Sequence, residues 1–328
     1  MANSSSKNDY FCLSLWPLDM PRGHLITWAA LTALLVPFTI AANALLIYGL
    51  YKAKQLTTIT NKFLLLMIIS DLCSGIVVFP MVVALVATSQ SFRSCAFELV
   101  TQYIAFFFAY FSFFMLMCVS MDRYIHVTKL NQYNKYMNEF RMKVIMLLSF
   151  VMSATISYIA FAFPSFPLQI LLSSSDLFGV LLMCFLYAKV FKRISLHAEN
   201  FKKMLGDVGT TKANREVKRE LSATKTIRVL LLTLLVLYFP YNIVSGLWTY
   251  YKYQKGTNPP LQLDVLEYLA YVIVFSNAAI NAIIFIMGNT AVKRLLLNKF
   301  RAPSSQISPS EVCTTQNNNA VLSIGDKV

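Results

Sequence analysis

The sequence predicts an all-α integral membrane protein, a seven-transmembrane helix bundle with a short amphipathic membrane-surface helix after the seventh span. Three observations carry this. Hydrophobic residues make up 57% of the 328-residue chain and charged residues only 13%, with a mean hydropathy of +0.57. So few charges cannot cover a water-facing surface. Phe occurs 25 times, with only 10 Gly and 11 Pro, which favours long helices over many short strands joined by turns. Lastly, seven stretches reach the roughly 20 apolar residues that a helix needs to cross a bilayer core of about 30 Å.

The predicted spans are residues 25–51, 63–88, 96–127, 144–163, 166–191, 227–250 and 263–287. Pro164 and Pro167 separate the fourth from the fifth, and two prolines so close favour a tight connection over one unbroken helix. In residues 289–300, Val292, Leu295, Leu296 and Leu297 oppose Lys293, Arg294 and Lys299, the pattern of a helix lying on a membrane. The Ser-, Pro- and Asn-rich residues 302–328 are expected to be disordered. No internal repeat is visible.

Seven spans put the two ends on opposite sides, and Lys and Arg choose the orientation. With the N-terminus outside, only Lys7, Arg22, Arg93, Lys252 and Lys255 face out, and the other 24 of 29 basic residues lie at cytoplasmic ends. That asymmetry accounts for the net charge of +14 without nucleic acid. The polar first residues have no basic start and no small-residue cleavage site, so no signal peptide is expected and the first span serves as targeting signal. Asn3-Ser4-Ser5 matches a glycosylation acceptor. None of the six cysteines forms a CxxC pair. Cys73, Cys118 and Cys184 fall inside apolar runs and read as packing residues.

Ionisable and amide groups inside apolar helices are expensive and are read as functional by default. Asp71 lies in the second span, Asn43 in the first and Ser112 in the third. Asn277 and Asn281 lie four apart on one face of the seventh. Oxygen ligands with one carboxylate suit a small hard cation or ordered water, and a hydrogen-bonded cluster that only joins helices is the other reading. At the end of the third span, Asp122 and Arg123 are either a surface ion pair or, with Glu220 ahead of the sixth span, half of a two-state lock.

These residues carry a resemblance. Asp122-Arg123-Tyr124 resembles the Asp-Arg-Tyr motif of the rhodopsin-like (class A) G protein-coupled receptors. Asn43 and Asp71 match the family's markers for the first two helices. Ser112, eleven residues before Arg123, matches its sodium-site serine, and Glu220, twenty before Pro240, its ionic-lock acid. Leu237-Tyr238-Phe239-Pro240 resembles Cys-Trp-x-Pro, Asn281-Ala282-Ile283-Ile284-Phe285 resembles Asn-Pro-x-x-Tyr, and Tyr187 matches the inward tyrosine of the fifth helix. The resemblance covers about residues 25 to 300. It implies a sodium site at Asp71, Ser112, Asn277 and Asn281 with Asn43 nearby. It also implies an activation set of Asp122, Arg123, Tyr124, Tyr187, Glu220, Pro240 and Phe285, and no other cofactor.

The departures are informative. The fourth span has no Trp, and Gly179 stands where the fifth helix of the family has Pro. Tyr238 replaces the toggle Trp, Ala282 the Pro and Phe285 the Tyr of the seventh helix. The loop between the fourth and fifth spans has no Cys, so the family's disulfide cannot form there. Cys95, three residues before the family's position, is expected to pair with Cys12. The family's amine receptors carry an Asp eighteen residues before the Arg, where this chain has Ala105. Its opsins carry a Schiff-base Lys where this chain has Phe275. The loop features resemble the melanocortin, cannabinoid and lysophospholipid branch.

For a ligand site, Asp176 lies eleven residues, about three turns, before Tyr187 and shares its face. Ser173 is one turn above. Glu98, Gln102, Tyr238, Tyr241, Asn242, Glu267 and Tyr271 are expected around the same mouth, where acidic groups would receive a basic peptide or a cationic head group. Solvated helix ends are the competing reading for Glu98 and Glu267. The expected organisation is an extracellular N-terminus (1–24), a seven-transmembrane receptor domain (25–288), the surface helix (289–301) and a cytoplasmic tail (302–328). The resemblance implies a plasma-membrane receptor, not an enzyme, that transduces an extracellular ligand to a heterotrimeric G protein. A peptide or lipid is preferred over a biogenic amine or retinal, and membrane lipid is a further partner. A weakly or constitutively coupling seven-helix protein and a small transporter are the alternatives.

Overall fold

The structure is a computed structural model. It describes residues 21–88, 94–129, 132–163, 165–205 and 211–300, of which 197–228, 231, 299 and 300 are described by backbone alone. Among the described residues, seven helices are long and apolar enough to cross a membrane. We number them α1 (Arg22–Lys52), α2 (Ile59–Ala87), α3 (Cys95–Thr128), α4 (Glu139–Ala162), α5 (Phe166–Leu205), α6 (Thr211–Thr249) and α7 (Leu261–Gly288). A shorter helix, α8 (Thr290–Phe300), follows.

The ends of these helices are set by polar residues just outside the apolar runs. The Thr58 hydroxyl accepts from the Asn61 N–H at 3.3 Å to start α2. The Asn138 side chain accepts from the Arg141 N–H at 2.9 Å and starts α4 at Glu139, five residues before the apolar run expected from 144. Asn289 accepts from the Ala291 and Val292 N–H groups, both at 3.2 Å, to open α8. α5 and α6 run on past their apolar stretches, because 192–205 and 211–226 are rich in good helix formers and contain neither Pro nor Gly. Two π-turns were not expected. Ser74–Val78 in α2 precedes Pro80, whose ring cannot return an N–H to the turn before it, and Tyr250–Gln254 closes α6 ahead of Gly256 (φ 64°).

The bundle buries half of the most apolar window of α2 but 17% of that of α6. α2 is therefore central, and α6 keeps most of its apolar surface for lipid. The core divides in two. Nearer the N-terminal end, Trp28, Phe79, Val82, Leu85, Tyr268 and Tyr271 pack together, with the Trp28 and Tyr268 rings stacked at 5.7 Å. Nearer the α8 end, Leu46, Phe63, Met67, Met115, Leu116, Met183 and Leu230 form the larger cluster.

Two glycines permit close approaches. A Cβ on Gly49 would come within 2.5 Å of Val292, so α8 docks under α1 only because Gly49 has no side chain. A Cβ on Gly179 would meet the Phe113 ring at 2.8 Å. The glycine in place of the family's proline thus lets α5 close on α3. Cys73, Cys118 and Cys184 are free thiols. Cys95 is disulfide-bonded, and its expected partner Cys12 lies outside the described residues, as does Asn3.

Candidate functional site

The polar residues of the spans gather at three levels along the bundle. At the middle level Asp71 is buried. Ser112 Oγ donates to its Oδ1 at 2.7 Å and Asn281 Nδ2 to its Oδ2 at 3.3 Å, which ties α2 to α3 and α7. Asn43 Nδ2 donates to the Thr39 carbonyl at 2.9 Å and to the Ala278 carbonyl at 3.0 Å, joining α1 to α7. The buried side-chain oxygens of Asn43, Asn277 and Asn281 meet no donor. Asp71, Ser74, Ser112, Asn277 and Asn281 line one cavity. A carboxylate with surplus neutral oxygens around a small space is a donor set that fits a small hard cation.

At the N-terminal level a second cavity lies between α3, α5, α6 and α7, with about 590 Å³ of empty space counting its open mouth. Four of the residues expected there line it, namely Asp176, Tyr238, Tyr241 and Tyr271, together with Tyr110 and Phe106. Among the described residues Asp176 is its only charged side chain, and no ion pair among them reaches it. The rings of Tyr238 and Tyr241 meet at 6.4 Å and those of Tyr241 and Tyr271 at 5.5 Å. Ala105 and Phe275, the positions of the amine-receptor Asp and the opsin Lys, also line the cavity.

The other expected pocket residues lie off the cavity wall. Gln102 is buried, and Glu98 and Ser173 are half-buried. Asn242 turns back to donate to the Tyr238 carbonyl at 2.8 Å. Glu267 is buried behind Tyr241 and Tyr271. Tyr110 and Phe106 went unnamed by sequence reasoning. Helical periodicity from Ala105 was the available signal, since Ala105, Ala109 and Phe113 repeat on one face of α3.

At the α8 level Asp122 is wholly buried and accepts from the Thr60 hydroxyl and, at 2.7 Å, from the Tyr133 phenol. Tyr133 belongs to a single helical turn, Tyr133–Tyr136, between α3 and α4, and sequence reasoning passed it over. Burial, and the donation to Asp122, hold its phenol above the usual tyrosine range. His126 meets the Tyr133 ring edge-on at 5.2 Å. Nearby, Lys62 pairs with Glu139, joining α2 to α4. Tyr187 is buried within electrostatic reach of Arg123. Tyr124 is half-buried beside Arg123, Phe285 is buried in the larger core, and Pro240 lies inside α6. The Glu220 side chain lies outside the described residues, so its pairing with Arg123 is not placed.

The sequence model of the "7 transmembrane receptor (rhodopsin family)" matches residues 42–285. Mouse trace amine-associated receptor 9 is 27% identical, over 90% of each chain. The dog histamine H2 receptor is 22% identical, over 96% of this chain and 89% of that receptor. A dopamine D2-like receptor of Drosophila melanogaster is 30% identical over 189 residues, 52% of this chain but only 21% of that receptor's length. None of these three belongs to the branch that the loop features resemble. Squid rhodopsin superposes with a TM-score of 0.71 over 86% of each chain at 17% identity, a likeness of fold. The chain is therefore a multi-pass membrane protein that belongs to the rhodopsin family of seven-transmembrane receptors, which signal through G proteins and are not enzymes.

Proposed function

We propose that this protein is a plasma-membrane receptor, N-terminus outside, whose ligand carries a cationic group held at Asp176. The observation that carries the reading is the single carboxylate among Tyr110, Tyr238, Tyr241 and Tyr271 in one cavity. Aromatic faces attract a cation, and the carboxylate gives it a charge-assisted hydrogen bond. Relatives named for amines favour a small ammonium ligand. Ala105 leaves α3 without the carboxylate that the resemblance would assign to such a ligand, and α5 supplies one instead. A basic peptide terminus or a lipid head group meets the same carboxylate.

Activation is a population shift between two bundle arrangements. Pro240 gives α6 a place to bend. Separation of Arg123 from Glu220 opens the cytoplasmic end to a heterotrimeric G protein, flanked by the basic segment 189–228 and α8. Sodium held by Asp71, Ser112, Asn277 and Asn281 favours the closed arrangement, and the unpartnered amide oxygens there support that assignment.

The test is expression of the full chain with a panel of G protein sensors, screened with cationic compounds and their neutral isosteres. Cationic members are expected to act and neutral ones to fail. Asp176→Asn is expected to lower potency by about tenfold to a hundredfold. Equal potency on Asp176→Asn would refute the assignment.

A further inference from the structure

A second carboxylate lies behind the tyrosine wall of the ligand cavity. Glu267 on α7 has no exposed surface, and neither of its oxygens has a donor placed to serve it. Its polar neighbours are the Ser245 and Tyr271 hydroxyls. Asp264, one turn away, adds like charge and is itself occupied by the Trp248 indole N–H at 2.7 Å. The lysines of this end lie over rings, Lys252 over Trp248 at 4.5 Å and Lys255 over Tyr251 at 4.8 Å. A carboxylate buried with only two neutral hydroxyls beside it and no cation among the described residues is costly to keep ionised, and a positive charge brought by a ligand would offset that cost.

Its position shows where that charge would come from. Glu267 and Tyr271 are four apart and share a face of α7. Tyr271 and Tyr241 line the cavity, and Tyr241 lies within electrostatic reach of both Glu267 and Asp176. Two carboxylates, one from α5 and one from α7, thus flank a single pair of phenols that meet edge-on. We infer that the cavity takes a ligand with two cationic centres, the first on Asp176 and the second on Glu267, with an apolar spacer across Tyr241 and Tyr271. Rotation of the Tyr271 ring about its side-chain torsions opens the way to Glu267. The inference rests on the Asp176 reading and extends it from a cationic to a dicationic ligand.

The experiment measures the thermal stability of the purified full-length chain against concentration of α,ω-diaminoalkanes and n-alkylamines of matched length. At the best spacer length the diamine is expected to bind at least about tenfold more tightly than the monoamine. Glu267→Gln should bring the diamine down to the monoamine's affinity and leave the monoamine unchanged, whereas Asp176→Asn should weaken both. Glu267→Asp, which keeps the charge on a shorter stem, should move the preferred diamine to a longer spacer, and it serves if Glu267→Gln fails to fold. Equal affinities for diamine and monoamine at every length, or a diamine advantage that survives Glu267→Gln, would overturn the inference alone. Monoamine binding that ignores Asp176→Asn, or no amine effect on the native chain, would overturn the Asp176 reading along with it.

Discussion

The two ends of the bundle treat buried carboxylates in opposite ways. At the α8 end Asp122 is closed off from solvent with two hydroxyl donors, Thr60 from α2 and Tyr133 from the turn before α4. At the N-terminal end no ion pair from a described residue reaches Asp176, and Glu267 has only the neutral Ser245 and Tyr271 hydroxyls beside it. Asp71, between them, has two donors and amide oxygens to spare. A satisfied carboxylate holds its helices in one arrangement, while an unsatisfied one raises the energy of the empty protein and lowers it again when a cation arrives. On the proposed reading, the difference separates the part of the molecule that keeps its shape from the part that would receive a ligand.

Substitutions can break or sharpen that contrast. The largest effect on ligand response is expected at Asp176, where Asn costs about tenfold to a hundredfold in potency. The same change should leave the thermal stability of the empty receptor level or higher, because no donor is orphaned. Asp122→Ala should do the reverse. It strands the Thr60 and Tyr133 hydroxyls, each at a cost of about 1–3 kcal/mol, and thermal denaturation of the empty receptor should show the loss. Sodium at ten times its Kd should stabilise the native chain by about 1.4 kcal/mol, an increment read from a salt titration against an N-methylglucamine control and expected to vanish in Asp71→Asn. Glu220→Ala should raise basal signalling severalfold in a well-expressed receptor, and an unchanged baseline would count against the lock. The smallest effect is expected from Tyr133→Phe, about 1 kcal/mol of stability with one donor to Asp122 still in place.

The spans were legible in the sequence because a bilayer demands about 20 apolar residues and little else. Their ends were not, because Asn138 caps α4 well before its apolar run begins and neither 192–205 nor 211–226 holds a Pro or Gly to stop α5 or α6 at the end of its apolar run. The middle level was legible because an Asp, a Ser and two Asn have few other reasons to lie in apolar helices. The ligand cavity was half legible. Spacing from Tyr187 put Asp176 on the inward face, but Glu98, Gln102 and Ser173 depend on how far α3 and α5 are rotated, which packing decides. Gly179 was visible as a departure, and its reason, the Phe113 ring on the neighbouring helix, needed the structure.

The ligand cavity and the Asp71 cavity share Ala105, Ala109, Phe113, Tyr238, Val274 and Phe275. The floor of one room is the ceiling of the other, and Tyr238 is the only part of that floor with a hydroxyl. Length then becomes a kind of information. A compound that stops short of Tyr238 is expected to occupy the upper room silently. One that reaches it is expected to shrink the lower room, and with it the space proposed for sodium. Within a series that keeps one head group and grows its tail, the receptor would act as a ruler, and the change from blocker to activator would mark the depth of the floor.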